Sequence, residues 1–517
     1  MRAASENSPD LRAWSRRDFI KSAGALAILF GWGGAFSREA RAAFANPLEA
    51  QQYHFLSRIS WGVKTADMKK ITSIGIGAYL EEQLKGEALP GAAKVPNSIL
   101  KMTRKKAWNL KDTNTVCYKA LLTGMVKRAA TSPAQLLERM VEFWSDHFNV
   151  ASEGSEADVI DYQRTAIRPN ALGKFGDLLR ATAKHPAMLF YLDNYLNVAE
   201  HPNENYAREV MELHTLGVDG GYSEKDVKEV ARALTGWNYD EQWDEYEGFF
   251  FDADNHDSDE KKVLGTTLSA GRGIEDGDEV LDILAAHPST AKFVCRKLVI
   301  RFVSDNPPQT SIDRMVAVWM ATGGDIKPVL RAMFLKDDRQ TLTDEFAAAA
   351  GKKLRRPLDF FVGVVRATGG TFKDFWLMEW FLSKLAQVPY GWHPPNGYPE
   401  PAGAWANTSG LLERWNIAQY MTDSVLNDRD TGMKTKLNSL AGPAKTVGEM
   451  VDKCALLVLG TSLDPNIRAQ LVAFVNTDYQ GQSTGGTDQT KVTPTLRKEK
   501  LGVLCGLLFS SPMNQWR

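Results

Sequence analysis

The chain has 517 residues, with 62 Lys and Arg against 63 Asp and Glu, a net charge of −1, and 44% apolar residues. So close a charge balance leaves no electrostatic footprint for nucleic acid or an acidic membrane surface. The apolar content, with 14 Trp and 23 Phe, excludes intrinsic disorder for most of the chain, and the length suits one large domain or two to three ordinary ones.

Residues 15–21 read Ser-Arg-Arg-Asp-Phe-Ile-Lys, the pattern of a twin-arginine export signal. A glycine-diluted apolar stretch runs from Ala23 to about Phe36, and Ala40-Arg41-Ala42 offers a small-x-small cleavage site. A general-secretion signal fits less well, because hydrophobicity is weak and Arg38 and Arg41 crowd the cut, and an uncleaved anchor is the other alternative, although the apolar run is short and Gly-rich for a span. We therefore expect a signal over 1–42 and a mature domain over 43–517, with a sub-boundary near 340. The expected location is periplasmic or secreted, and the twin-arginine translocase is the export partner. Residues 1–42 hold 7 of the basic and 4 of the acidic residues, so their removal leaves a net charge of −4. No later segment is long and apolar enough to span a bilayer, so the mature form is not expected to cross one.

Helical periodicity dominates the chain beyond the signal. Apolar residues at three- and four-residue spacing predict helices over 65–84, 172–184, 203–216, 224–234, 290–303, 326–335, 345–366, 409–426, 447–459, 466–475 and 495–508. Ser132-Pro133 reads as a cap and first helical position ahead of Leu136, Leu137, Met140, Phe143, Trp144 and Phe148. Ser223 and Asp226 form a capping-box pattern, and Gly217 and Gly236 stand where helix C-termini favour a left-handed residue. Residues 249–268 predict a small hairpin. Connections fall at 88–98 and 387–408, and 477–493 is a polar tract expected to be mobile. The fold class is all-α or nearly all-α, a large multi-helix domain with long loops. Cys117, Cys295, Cys454 and Cys505 form no C-x-x-C; Cys454 and Cys505 could meet, with buried free thiols as the alternative.

The densest polar run is His201 to Gly217. On a helical wheel, Tyr206, Val210 and Leu213 share an apolar face, while Asn205, Arg208, Glu209 and Glu212 gather opposite. Arg208 stands four residues from both Glu204 and Glu212, so a solvated ion-pair face is one reading. The other is an acid–base stripe, in which Glu209 and Glu212 act as catalytic carboxylates or bind a divalent metal. The run Trp144-Ser-Asp-His-Phe-Asn149 closes the first long helix, and its His147 suits a helix C-terminus or a proton carrier. Asp193, Asn194 and Asn197 concentrate polar groups that are costly to bury without partners. His185-Pro and His287-Pro read as helix starts. His256-Asp257 is an oriented base or a turn. Trp392, Asn396, Tyr398 and Trp405 place rings beside amides, as a planar or sugar-like ligand needs. No G-x-S-x-G, H-E-x-x-H, C-x-x-C-H, Walker A or strand-linked G-x-G-x-x-G occurs.

These motifs carry a resemblance. His54–Gly62, Arg139–Phe148, His185–Asn194, Asn203–Gly217, Ala231–Trp237, His256-Asp257, Pro394–Tyr398 and Ser511-Pro are similar to the bacterial family called domain of unknown function 1800. The resemblance runs from about His54 to the C-terminus. It implies a large exported protein, frequently encoded beside another exported family, and brings no reaction or cofactor. The expectation is an envelope hydrolase or transferase using Arg208, Glu209, Glu212, His147, His214 and His256. Asn203, Asn205, Asp193, Asn194, Trp392, Asn396, Tyr398 and Trp405 would form its binding surface. The alternatives are a non-catalytic partner of a co-exported protein and a metal or redox carrier.

Overall fold

The computed structural model describes residues 46–94, 97–239, 248–423, 433–478 and 480–517. Helix accounts for 61% of the structure, and the strands form three two-stranded antiparallel sheets among the described residues. Among these residues no helix is long and apolar enough to cross a membrane.

The chain divides into two compact units. One comprises the described residues within 46–76, 350–387 and 401–517. Its Pro494–Ser510 helix packs on Thr408–Thr422 and Val447–Val458, and Pro357–Thr368 packs on the same two helices. Cys454 and Cys505 both lie in this packing, fully buried, and all four cysteines are free. The tract after Asn476 folds into hydrogen-bonded turns, with Asn476 Nδ2 donating to Thr487 O at 3.0 Å and Gly448 N donating to Asp488 O at 2.8 Å.

The other unit comprises 77–349 and 388–400. Here Gln309–Thr322 packs against Pro288–Phe302 and Ile326–Phe334, and Glu204–Glu209 packs against Glu224–Ala233. The helix Gln135–His147 buries Leu136, Leu137, Met140, Phe143 and Trp144. At about 1.5–3 kcal/mol per buried large side chain, packing fixes its position, and its polar residues are carried in with it.

Several predicted elements shift, each for a local reason. The helix after Ser132-Pro133 starts at Gln135, because Ser132 Oγ accepts from Ala134 N at 3.2 Å and holds a turn first. The run 345–366 splits into Asp344–Ala348 and Pro357–Thr368, since Pro357 has no N–H to continue a helix and serves at its first turn. The run 203–216 is α-helical over Glu204–Glu209 and then widens to a π turn over Val210–His214. Hence Leu213 is half-buried, and Met211 and His214 take the inward positions. The predicted hairpin forms as Lys261–Val263 with Thr266–Leu268, across a turn whose Leu264 and Gly265 have φ of 48° and 86°. Phe249–Phe251 pairs instead with Trp237–Tyr239. The capping box at Ser223 and Asp226 forms, and Gly217 and Gly236 take positive φ. The predicted end of the 409–426 helix lies outside the described residues, as does the signal region.

Candidate functional site

The π turn carries His214 inward, and the end of the Gln135–His147 helix brings His147 to meet it. The two ring centroids are 6.2 Å apart. His147 Nε2 lies 2.9 Å from the carbonyl oxygen of His214. A carbonyl can only accept, so Nε2 carries the proton and Nδ1 presents a lone pair. Lys297 Nζ, 2.9 Å from Nδ1, donates to it. Phe148, Phe175 and Phe293 ring the pair, with centroids 4.6, 6.2 and 6.3 Å from that of His147. Among the described residues neither nitrogen of His214 has a hydrogen-bond partner, although the residue is wholly buried. π turns interrupting α-helices recur at functional sites.

This interior sets the protonation states. Burial, followed by the nearby charge of Lys297, holds the His147 imidazole well below its ordinary range and brings His214 down to about 3. Burial also lowers Lys297 to about 8, against the pull of Asp146 and Glu400, which favour the ammonium. The residue as a whole is half-buried, as is Phe293. Lys297 is therefore the group of the three that changes charge near neutrality. Sequence reasoning misses it because it sits inside an ordinary helical run. The signal present is the spacing Phe293, Lys297, Arg301, with Arg301 on the same stripe as Val294 and Leu298.

Arg301, one turn on, is fully buried between Glu142 and Glu400, the latter at 2.7 Å. Glu142 and Asp146 are themselves four apart on the His147 helix, so the two helices face each other through opposite charges. Asn149 then pins the loop that supplies Glu400, donating to Trp392 O at 2.8 Å and Pro394 O at 2.9 Å. The Tyr191 hydroxyl donates to His393 O. Within the loop, Trp392 and Tyr398 rings lie 4.8 Å apart, Trp392 Nε1 donates to Asn396 Oδ1 at 2.9 Å, and Tyr398 OH donates to Val388 O at 2.9 Å. Both rings remain half-buried.

The acidic helix borders this region. Burial pushes Tyr191 up to about 12, with the charge of Glu209 adding to it. Burial also raises the Glu209 carboxyl, helped by Glu212 and opposed by Arg208. Arg208 pairs with Glu224 at 2.8 Å, Glu204 at 3.1 Å and Glu212 at 3.7 Å, the ion-pair face expected from its spacing. Burial and a hydrogen bond to Glu212 bring Tyr222 to about 12. Among the described residues, no three His, Cys, Asp or Glu side chains converge as metal ligands, so Glu209 and Glu212 have no third ligand there.

Other candidates lie in separate networks. Asn203 caps its helix by accepting from Asn205 N at 2.9 Å, and Asn205 Nδ2 reaches Asp193 Oδ2 at 3.3 Å. Asn194 donates to the carbonyls of Leu234 and Trp237, and Asn197 to Ala231 O, so these amides tie backbone together. His256 Nδ1 donates to Thr235 O at 2.9 Å, and its Nε2 faces Asp276 at 3.4 Å. Its sequence neighbour Asp257 is held by Arg232 at 2.7 Å. His185 and His287 cap their helices by accepting from Ala187 N and Ser289 N. Trp405 is buried in the other unit.

Fold and site together define a mostly helical protein with an amine–imidazole pair ringed by aromatic side chains. The chain belongs to the family described as "Protein of unknown function (DUF1800)", which matches residues 54–516. Neither a curated protein nor a solved structure matches it significantly.

Proposed function

We propose that the chain is an exported enzyme, a hydrolase or transferase acting on a polar envelope or extracellular substrate, in which Lys297 carries the proton. The supporting observation is the 2.9 Å bond from Lys297 Nζ to a neutral, tautomer-fixed His147 inside a cage of rings. An amine held near 8 is about one-tenth free base at pH 7 and half free base at pH 8, so both forms are available at and just above neutrality. His147 orients it without competing for the proton. Glu209, half-buried with a raised carboxyl, is the second acid–base group, and Trp392 and Tyr398 offer a surface on which a ligand can stack. A test is to incubate wild type and Lys297→Met with soluble bacterial envelope fragments and to monitor products by mass spectrometry. Products from wild type, and at least about 100-fold fewer from the variant, are expected. No turnover by wild type, or equal turnover by both, would contradict the reading.

A second reading is a non-catalytic partner of a co-exported protein. It draws on Phe190 and Leu196, 48% and 53% exposed, with the Tyr195 ring stacked 5.7 Å from Phe190.

A further inference from the structure

The helix Phe375–Lys384 belongs to the unit that holds residues 350–387 and 401–517. Its inner face buries Leu377, Met378, Phe381 and Leu382, and it packs on Pro357–Thr368 and Thr408–Thr422. On an ordinary surface helix the opposite stripe is polar. Here that stripe reads Trp376, Glu379, Trp380, Ser383 and Lys384 at three- and four-residue spacing. Trp376 is 42% exposed and Trp380 is half-buried, with Lys384 Nζ 5.6 Å from the Trp380 ring centroid. A small sheet adjoins the start of this helix. Thr371 pairs with Lys434 and Phe372 with Met433. Phe372 packs on the Phe361 and Phe381 rings and Met433 is buried, so strand alternation leaves Thr371 and Lys434 facing solvent. Lys436 N donates to Thr368 O at 2.9 Å, which holds exposed Lys436 beside the same sheet. Leu440, four residues on, is 48% exposed, and a Cβ on Gly369 would touch both Lys436 and Leu440 at 3.4 Å.

On these elements the exposed lysines Lys373, Lys384, Lys434 and Lys436 outnumber the carboxylates Asp374 and Glu379, a local excess that the even charge of the whole chain conceals. We infer that this face rests on an anionic lipid bilayer. Trp376, Trp380 and Leu440 enter the headgroup layer, and the lysines meet lipid phosphates. Exposed Trp bracketed by Lys is the composition of an interfacial anchor, whereas Lys is depleted where proteins meet proteins. Charge complementarity therefore selects the lipid, and salt should weaken the contact. The inference is independent of the proposed reaction, whose residues lie in the other unit.

The test is sedimentation of the whole protein with vesicles of phosphatidylcholine alone or mixed equally with phosphatidylglycerol. Wild type should bind the mixed vesicles at least about tenfold more tightly than the neutral ones, and added salt should weaken that binding. Two variants at exposed positions, Lys434→Glu with Lys436→Glu and Trp376→Ser alone, should each lose affinity while keeping the wild-type circular dichroism spectrum. The double charge reversal should cost at least about tenfold. Equal binding to both vesicles, or no binding to either, would overturn the inference. So would variants that bind as wild type does, since attachment would then come from elsewhere in the chain. Self-association lost in Trp376→Ser, without vesicle binding, would overturn it in favour of a second copy as the occupant.

Discussion

His214 shows how much a single buried base can weigh. Its ring nitrogens lack hydrogen-bond partners among the described residues, and burial brings it from 6.5 to about 3. Because the folded state binds this proton more weakly, the unfolded state takes up more protons as pH falls from 6.5 toward 3. Stability is therefore lost across that window, by up to about 4–5 kcal/mol for this group. His147 acts in the same direction. His214→Phe sacrifices no hydrogen bond from the ring, so denaturant melts at pH 7.5 should differ from wild type by less than about 1.5 kcal/mol. At pH 4.5 the variant should be the more stable protein, and an unchanged acid sensitivity would show that His214 is not held neutral. Lys297 works in another window. Its depressed value makes the buried ammonium a burden below about 8, which is lifted as pH rises toward 10.5.

Among the elements, the 392–398 loop lies hard against the end of the His147 helix. Gly397 has φ 68°, and a Cβ there would fall 2.0 Å from the carbonyl oxygen of Asp146. Gly397→Ala should then push the loop off the His147 helix and destabilise the protein by about 2 kcal/mol or more. A thermal melt would check this, and an unchanged midpoint would mean that the loop does not rest there. Pro-Pro-Asn-Gly marks this turn in the sequence, but nothing local says that Asn149, more than 240 residues away, holds it. The π turn is invisible in the sequence for a related reason. A wheel at a fixed angle per residue assumes uniform winding, and one widened turn moves His214 inward and Leu213 outward. Helix existence is legible from apolar spacing, and so are the Ser223 capping box and the His-Pro caps. Lys297, Arg301 and Glu400 are not, because their significance lies in which partners tertiary packing supplies.

For the whole molecule, the family and the helical class are both readable from the sequence, the first from long motif blocks and the second from sparse period-two alternation. A centre assembled from residues near 147, 214, 297 and 400 exists only once that unit has folded. Export after folding, through the twin-arginine route, would deliver it complete. Replacing Arg16–Arg17 by Lys-Lys should leave folded precursor in the cytoplasm, seen by fractionation and immunoblot; efficient export of that variant would contradict the assignment.

The sharpest measurement is an NMR titration of the Lys297 Nζ resonance in the intact protein, assigned by its loss in Lys297→Met. A midpoint near 8, with His147 remaining in the neutral Nε2–H form from pH 6 to 9, is the expected result. A Lys297 midpoint at 10 or above, or a His147 that protonates near 6.5, would contradict the buried amine–imidazole centre.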